Sequence, residues 1–148
     1  MIRKSRNSDV DALASIWLEA SIEAHDFVPP GHWESLLEAM RRTYLPSAVN
    51  YVFEDDGRMA GFASVAGDRL AAVFVDPARQ GRGIGGALLE HVKARYDCLN
   101  LSVYETNRRA VAFYERHGFV KVGEGLDEHT GWPEMRMRFQ RKPGRRGG

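Results

Sequence analysis

Glycine occupies four of the six positions in residues 81–86, within the stretch VDPARQGRGIGGALL. Residues that lack a Cβ adopt positive φ freely, so successive backbone N–H groups can point into one concavity. A helical apolar period follows, and the N–H groups and dipole at the start of a helix favour an anion. Arg79 and Arg82 can add charge-assisted contacts. The loop is therefore predicted to hold a phosphate or pyrophosphate.

The spacing leaves more than one phosphate ligand open. No Lys-Ser or Lys-Thr pair follows the last glycine, so the loop is not a Walker A motif. Gly81, Gly83 and Gly86 do fit G-x-G-x-x-G, and Glu105 follows about 20 residues later, where a dinucleotide-binding fold has its ribose-binding acid. However, DPARQ separates this loop from its strand, and an antiparallel meander precedes it. An NAD-dependent or other nucleotide-binding oxidoreductase remains an alternative.

The hydrophobic pattern predicts a mixed α/β (α+β) architecture with the element order βααβββαβαββ. Ser8 and Asp11 have capping-box spacing before a first helix, and apolar residues in 33–44 indicate a second. Short strands joined by Asp/Gly turns fill residues 50–75. The last of them, 70–75, is apolar throughout, which predicts burial on both faces. We expect a central mixed, mostly antiparallel sheet of about seven strands, flanked by about four helices.

Length and charge limit the classes of function. The 148 residues suffice for one domain, predicted over 1–140, and the Gly/Pro/Arg-rich segment 141–148 is predicted to be a disordered basic tail. A net charge of +1 indicates neither a nucleic-acid nor a membrane partner. Cys98 is the single cysteine and no residues show metal-ligand spacing, so no metal is predicted. Without a secretory signal or membrane span, we expect a cytoplasmic protein.

Two motifs together indicate a family. FVDPARQGRGIGGALL resembles the acetyl-CoA signature of the GCN5-related N-acetyltransferase (GNAT) superfamily, through Val75, Pro77, Gln80, Gly83 and Gly85. A second family motif is NRRAVAFYERHGF, with Asn107, Ala110, Phe113, Tyr114, Gly118 and Phe119 in the family spacing. The predicted element order is also that of the family, from Ile2 to about Phe139. IWLEASIEAHDF, YLP and VYETN are similar to small bacterial acetyltransferases of protein-lysine-directed or uncharacterised type.

The resemblance implies a GNAT-like acyl-CoA N-acyltransferase fold and acetyl-CoA as co-substrate. Strands 70–75 and 98–103 would diverge, with the pantetheine arm in the gap and the pyrophosphate on the amides of residues 80–86. Asn107 would lie near the thioester and Tyr114 beside the sulfur. The implied cofactor-binding residues are Phe74, Val75, Gln80, Gly81, Arg82, Gly83, Ile84, Gly85, Gly86, Asn107 and Tyr114.

The implied reaction is direct attack of a primary amine on the acetyl group in a ternary complex. A lysine-like amine has a pKa of about 10.4, so a base must remove its proton. The N–H of Val75 can stabilise the oxyanion. Tyr114 is the predicted acid, because a phenol pKa near about 10 is close to the thiol value of about 8.5. The acceptor is a protein lysine, a protein N-terminus or a small-molecule amine, and the enzyme is a monomer or homodimer.

His25 is the predicted base, since its ordinary pKa of about 6.5 suits the task. The alternative bases are Glu54, Glu105, Glu128 and His129. Residues 25–33 and 127–132 are predicted to form the acceptor pocket, because their aromatic and acidic side chains can hold a cationic amine. A non-catalytic acetyl-CoA sensor is a further alternative function.

Overall fold

Seven strands form one mixed sheet in the computed structural model, which describes residues 1–141. They are β1 (Ile2–Lys4), β2 (Val49–Asp55), β3 (Arg58–Ala66), β4 (Arg69–Val75), β5 (Cys98–Tyr104), β6 (Val120–Leu126) and β7 (Pro133–Gln140). The spatial order is β1-β2-β3-β4-β5-β7-β6, and every neighbouring pair is antiparallel except β4 with β5. The predicted seven-stranded, mostly antiparallel sheet is confirmed.

Helices cover parts of both faces of the sheet. They are α1 (Val10–Ala24), α2 (Pro30–Ala39), the single turn α3 (Leu45–Ser47), α4 (Ile84–Lys93) and α5 (Arg108–Arg116). A π-helical segment, Met40–Tyr44, joins α2 to α3. Helices α1 and α2 pack on one face around Phe62 and Tyr104, whereas α4 and α5 pack on the other around Leu99 and Met137. The four longer helices are those that the sequence predicts.

The start of α1 differs from the prediction. A 3₁₀ turn, Asn7–Asp9, precedes the helix, and the side chain of Asp9 accepts the N–H of Arg6 at 2.6 Å. The same carboxylate accepts the guanidinium of Arg3 at 2.8 Å. Ser8 makes no side-chain hydrogen bond within the described residues, so the predicted capping box of Ser8 is wrong. Asp9 therefore closes the first turn and also links it to β1 through Arg3.

Strand β4 is not buried on both faces, which corrects the prediction from its apolar run. Leu70 is fully buried, but Ala71 is exposed and residues 72–75 are half-buried. The ladder between β4 and β5 consists of one paired position, Arg69 with Asn100, after which the strands diverge. The apolar residues beyond that position line an open cleft, so here an apolar run marks a ligand wall as well as a core.

Strand β7 ends at Gln140, one residue before the end of the described chain. The N–H of Arg141 donates to the carbonyl of Asp97 at 2.7 Å, and the rest of the predicted disordered tail, 142–148, lies outside the described residues. Among residues 1–141, no helix combines the length and apolar content that a membrane span requires. Nor do three or more His, Cys, Asp or Glu side chains cluster in that range as metal ligands would.

Strands β3 and β4 approach each other closely at Gly61, beside the cleft. A Cβ at this position would lie 2.6 Å from the carbonyl oxygen of Phe74 and 3.3 Å from Cγ2 of Ile84. Neither a backbone oxygen nor a buried side chain can move away easily. Gly61 is therefore needed to hold β4 and the start of α4 in place.

We expect Gly61→Ala to destabilise the protein by about 1–3 kcal/mol, because the added methyl overpacks this contact. The measurement is the Tm, which should fall by roughly 2–4 °C for each kcal/mol in a chain of this size. Gly31→Ala is the matched control, since no atom lies within 4 Å of its Cβ position in α2. The control should leave the Tm unchanged or raise it. Equal Tm values for both variants would contradict the argument.

Candidate active site

A cleft of about 770 Å³ occupies the gap between β4 and β5. It runs from the glycine loop, at the start of α4, to the end of α1 and the first turns of α2. Strands β5 and β7 and helix α5 complete its walls. The predicted divergence of the two strands thus creates the cleft.

The glycine loop presents a row of free backbone donors at one end of the cleft. Gly81 and Gly83 have φ of +83° and +77°, and no atom lies within 4 Å of their Cβ positions. Gly85 and Gly86 belong to the first turn of α4 and have no positive φ, so two glycines rather than four serve the turn. Within the described residues, no amide from 80 to 86 donates a hydrogen bond. This cradle fits the pyrophosphate of acetyl-CoA.

Basic side chains also line the cleft. Arg79 lines the cleft and donates to the carbonyl of Met59 at 3.3 Å. Arg109, Arg116 and His117 line it from α5 and the residue that follows. The side chain of Arg82 is exposed and does not line the cleft, so only its backbone remains a candidate contact. The positive charge complements the phosphates that the loop amides can bind.

Every second residue of β4 directs its backbone N–H group into the cleft. The N–H of Val73 donates to the hydroxyl of Tyr114 across the gap at 3.3 Å. Because polar groups alternate along a strand, the N–H of Val75 points the same way. The carbonyl of Phe74 instead faces Gly61 on β3. The implied backbone contact at Phe74 is therefore corrected to Val73, while Phe74 lines the cleft with its side chain.

Tyr114 lies at the base of the cleft and is 5% exposed. Burial raises the pKa of Tyr114 to about 12, although the N–H of Val73 acts in the opposite direction. Its phenol is a weaker acid than the sequence argument assumes, since that argument takes the ordinary pKa near about 10. The hydroxyl accepts from Val73, so its own proton is available for a donor role towards the cleft.

His25 lies at the other end of the cleft, among aromatic rings. Its ring centroid is 5.0 Å from that of Trp33 and 5.1 Å from that of Tyr104. Burial lowers the pKa of His25 below its ordinary value, against an opposing effect of the Ser21 carbonyl. The imidazole is therefore neutral at physiological pH, which is the form that a base requires.

The side chain of Asn107 lies beside one nitrogen of His25. As the N-cap of α5, its Oδ1 accepts the N–H of Ala110 at 3.3 Å, which leaves Nδ2 facing His25. Nδ2 lies 3.5 Å from Nε2 of His25, and because an amide NH₂ only donates, this contact suits the tautomer in which Nε2 carries the lone pair. Nδ1 is buried with no hydrogen-bond partner among the described residues. The basic nitrogen thus points to the side of the cleft on which Asn107 lies.

The four alternative bases do not line the cleft. Glu54 is held by Arg3 at 2.6 Å on β2, which lowers the pKa of that carboxylate. Glu105 borders a separate hollow of about 380 Å³, so it cannot serve as the ribose acid of a dinucleotide site in this cleft. Glu128 and His129 lie on the exposed turn between β6 and β7. Of the five candidates, only His25 reaches the cleft.

Tyr104 is a cleft residue that the sequence analysis missed. Its hydroxyl donates to Asp127 at 2.6 Å, and burial followed by this contact raises the pKa of Tyr104 to about 12. The other oxygen of Asp127 accepts the N–H groups of His129 at 2.7 Å and Thr130 at 3.2 Å. Although burial opposes it, these donors together lower the pKa of Asp127. One carboxylate thus ties the β6–β7 turn to the cleft wall.

The two predicted acceptor loops meet beside this wall. Phe27, from the α1–α2 loop, packs 5.3 Å from the ring of Tyr104 and 4.9 Å from that of Trp132. The carboxylates of Glu23 and Glu134 also belong to this end of the cleft. No sequence pattern singles out Glu134, because its position depends on the register that pairs it with Tyr104. Aromatic rings and acids make this end suitable for a cationic amine.

Comparison with known proteins shows a family. The model of the acetyltransferase (GNAT) domain matches residues 46–121. The chain is 38% identical over 138 residues to peptidyl-lysine N-acetyltransferase YiaC of Escherichia coli (strain K12), covering 93% of this chain and 94% of that protein. It is similar to the solution structure of apo-form YjaB from Escherichia coli, with a TM-score of 0.82, 29% identity, and coverage of 96% and 98%.

A further likeness concerns the fold alone. The crystal structure of PaiA N-acetyltransferase from Thermoplasma acidophilum, in complex with coenzyme A, superposes with a TM-score of 0.74. The identity is 17%, and the superposition covers 95% of this chain and 98% of that chain. The fold of this chain is thus one that is known with coenzyme A bound.

The phosphate cradle predicts the outcome of two substitutions at one position. A Cβ at Gly85 would lie 3.5 Å from Val75 Cγ2 and Phe113 Cζ, which is ordinary contact. We expect Gly85→Ala to leave the acetyl-CoA affinity within a few-fold of wild type. Gly85→Glu should weaken it by about tenfold or more, because the carboxylate competes with phosphate for charge-assisted donors.

Isothermal titration with acetyl-CoA measures both affinities. The Tm of the ligand-free Gly85→Glu variant should not fall by more than that of Gly85→Ala, because an acidic residue in the first helical turn is favourable. Unchanged affinity in Gly85→Glu would show that the cradle is not the phosphate site.

Proposed function

We propose that this chain, which belongs to the GNAT family of acetyltransferases, acetylates lysine side chains of proteins. It is an N-acetyltransferase that uses acetyl-CoA as co-substrate and a primary amine as acceptor. The choice of lysine is the proposed part. Its main support in the structure is the aromatic and acidic end of the cleft, around His25, Tyr104 and Glu134. The similarity to a relative named for peptidyl-lysine acetylation also supports it.

The two ends of the cleft have opposite electrostatic character, which supports this assignment of ligands. Free amides and the side chain of Arg79, which directly precedes the glycine loop, favour phosphates at one end. Glu23 and Glu134 favour an ammonium group at the other end. A lysine side chain has both the cation and the apolar stem that pack against aromatic rings. A small anionic acceptor would meet like charge there.

His25 is proposed to take the proton of the acceptor amine. Its imidazole is neutral because burial lowers its pKa, and Asn107 orients the Nε2 lone pair. A lysine ammonium has an ordinary pKa of about 10.4, so a base must assist its deprotonation near neutral pH. The N–H of Val75 is proposed to stabilise negative charge on the acetyl oxygen. This backbone donor points into the cleft, so no side chain is needed for the task.

Acetyl-CoA supplies the acetyl group as a thioester. Tyr114 is proposed to hold a proton for the departing sulfur. With a pKa of about 12, its phenol stays protonated near neutral pH. Full transfer to a thiolate with an ordinary pKa of about 8.5 is uphill, so Tyr114 acts as a hydrogen-bond donor as the charge develops.

We also infer a cytoplasmic location and a monomeric or homodimeric state. The thiol of Cys98 is free and half-buried, which suits a reducing compartment. The disordered basic tail beyond the domain at 1–140 remains a prediction.

The acceptor proposal is tested with two peptides that share one sequence. One carries a single internal lysine and a blocked N-terminus, and the other carries arginine instead of lysine and a free N-terminus. We expect coenzyme A release and acetyl incorporation with the lysine peptide alone. Acetylation confined to the N-terminal amine, or to polyamines, would overturn the lysine acceptor.

Tyr114→Phe should lower kcat with the lysine peptide by about 10²-fold, because it removes the proton and keeps the packing.

The role of His25 predicts a pH profile. In wild type, kcat with the lysine peptide should fall only below the ordinary pKa of about 6.5, because burial lowers the pKa of His25 and the neutral imidazole is active. His25→Phe keeps an aromatic ring against Trp33 and should lower kcat by about 10²-fold, with the acidic limb lost.

His32→Phe is the matched control for that experiment. The ring of His32 also contacts Trp33, edge-on with a centroid distance of 4.8 Å, but His32 does not line the cleft. This control should retain both the rate and the acidic limb. If His25→Phe kept the limb, another group would be the base.

A further inference from the structure

An open sheet face adjoins the acceptor end of the cleft. Alternate residues of β5 and β7 are buried against α4 and α5, among them Leu101 and Met137. The residues between them, Asn100 and Ser102 on β5 with Arg136 and Arg138 on β7, face the opposite side, where α1 and α2 cover only the first half of the sheet. The β5–β7–β6 part of that side is therefore solvent-accessible.

The strand register arranges this face in rows, which we call the arginine face. One row contains Arg69, Asn100 and Arg138, and the next contains Ser102, Arg136 and Gly123. Rows of paired residues keep their side chains on one face, with strands about 4.8 Å apart. Three guanidinium groups thus lie on one surface, a few residues from the cleft.

None of the three guanidinium groups forms an ion pair within the described residues. Arg138 donates to the side-chain oxygen of Asn100 at 2.8 Å, and this neutral contact leaves its charge uncompensated. The guanidinium of Arg136 crosses directly over Gly123, where any Cβ would collide with it. Arg69 and Arg136 are exposed to solvent. The arginine face is therefore positively charged.

The arginine face is continuous with the acceptor end of the cleft. Ser102 belongs to the second row and also lines the cleft. The following row pairs Tyr104 with Glu134, and both residues line the cleft as well. Moving away from the cleft along β7, a ligand therefore meets one carboxylate and then two arginines.

We propose that the arginine face binds acidic residues that flank the acceptor lysine in its protein substrate. This inference rests on the proposed lysine acceptor. A lysine ammonium near Glu134 would leave the neighbouring residues of an extended peptide over Arg136 and Arg138. At about 3.3 Å per extended residue, the two arginines lie about 7 and 13 Å beyond Glu134. Acidic side chains about two to four positions from the lysine match that spacing.

The charges also favour this occupant over two others. A second copy of the chain, related by a two-fold axis, would bring arginines against arginines. A nucleic acid would bring phosphates towards Glu134 and Asp127 at the cleft entrance, and the net charge of +1 provides no general attraction. A peptide with a central cation and acidic flanks matches both signs.

The test uses two peptides with the same central lysine, one with Asp two and four positions away and one with Ser there. Nα-acetyl-lysine amide is a third acceptor that is too small to reach the arginine face. Wild type should show a KM about tenfold lower for the Asp peptide, because each exposed charge pair changes affinity by up to about fivefold. Arg136→Glu with Arg138→Glu should abolish that preference, with kcat and the KM for the small amine unchanged.

A charge exchange separates recognition from structural damage. The doubly substituted enzyme should prefer a peptide that carries Lys at the flanking positions, which a misfolded face could not do. Arg58→Glu is the control, since this exposed arginine on the β2–β3 hairpin lies away from the cleft. It should keep the preference for the Asp peptide.

Three outcomes would overturn the inference. Equal KM values for the two peptides in wild type would do so while leaving the proposed function intact, provided that the small amine is acetylated. Absence of transfer to any lysine acceptor would instead reject the proposed function and the inference with it. Retention of a DNA duplex at physiological salt, lost in the doubly substituted enzyme, would assign the arginine face to nucleic acid.

Discussion

The divergence of β4 from β5 is the constraint on which the site depends. Only Arg69 and Asn100 pair, supported by the hydrogen bond from the Asn100 N–H to the carbonyl of Asp68 at 2.8 Å. Beyond that position, both strands leave backbone groups without a ladder partner, which is costly in a closed core. The cleft resolves this cost, because its N–H groups become binding groups for a ligand. Tyr114 occupies part of the gap and satisfies Val73 in the absence of one.

The sequence predicted the parts of this arrangement that are local. Glycines before a helical period indicated an anion cradle, and the strand and helix periods indicated the element order, since both follow from neighbours in the chain. Residues that depend on strand register could not be predicted. Glu134 lines the cleft because it pairs with Tyr104. Glu54 does not line it, because this residue lies on β2 and forms an ion pair with Arg3. The apolar run of β4 wrongly predicts burial on both faces, because a strand that lines a ligand cleft and a fully buried strand have the same apolar pattern.

The acceptor end shows how the fold keeps a histidine neutral without a carboxylate beside it. His25 is surrounded by Trp33, Phe27 and Tyr104, and the amide of Asn107 lies 3.5 Å from its Nε2. Apolar surroundings disfavour the charged form, whereas an adjacent carboxylate would stabilise it and raise the pKa. Two buried nitrogens, Nδ1 of His25 and Nε1 of Trp33, have no partner among the described residues. Such unsatisfied groups reduce stability, so their presence here is consistent with a site shaped for function.

In the proposed mechanism, the carboxylate of Asp127 attracts the acceptor amine, and its environment makes it unsuitable as the base. It contacts the aromatic cluster through the hydroxyl of Tyr104, and it accepts three hydrogen bonds in all, including the one from that hydroxyl. An aspartate has an ordinary pKa of about 3.9, and the pKa of Asp127 is lowered further, so this carboxylate binds a proton poorly near neutral pH, unlike an imidazole. It can still attract a cation towards the cleft, because its negative charge persists at neutral pH. In the proposed mechanism, attraction and deprotonation of the amine are therefore divided between two residues, Asp127 behind Tyr104 and His25 inside the cleft, and each environment suits one of these tasks.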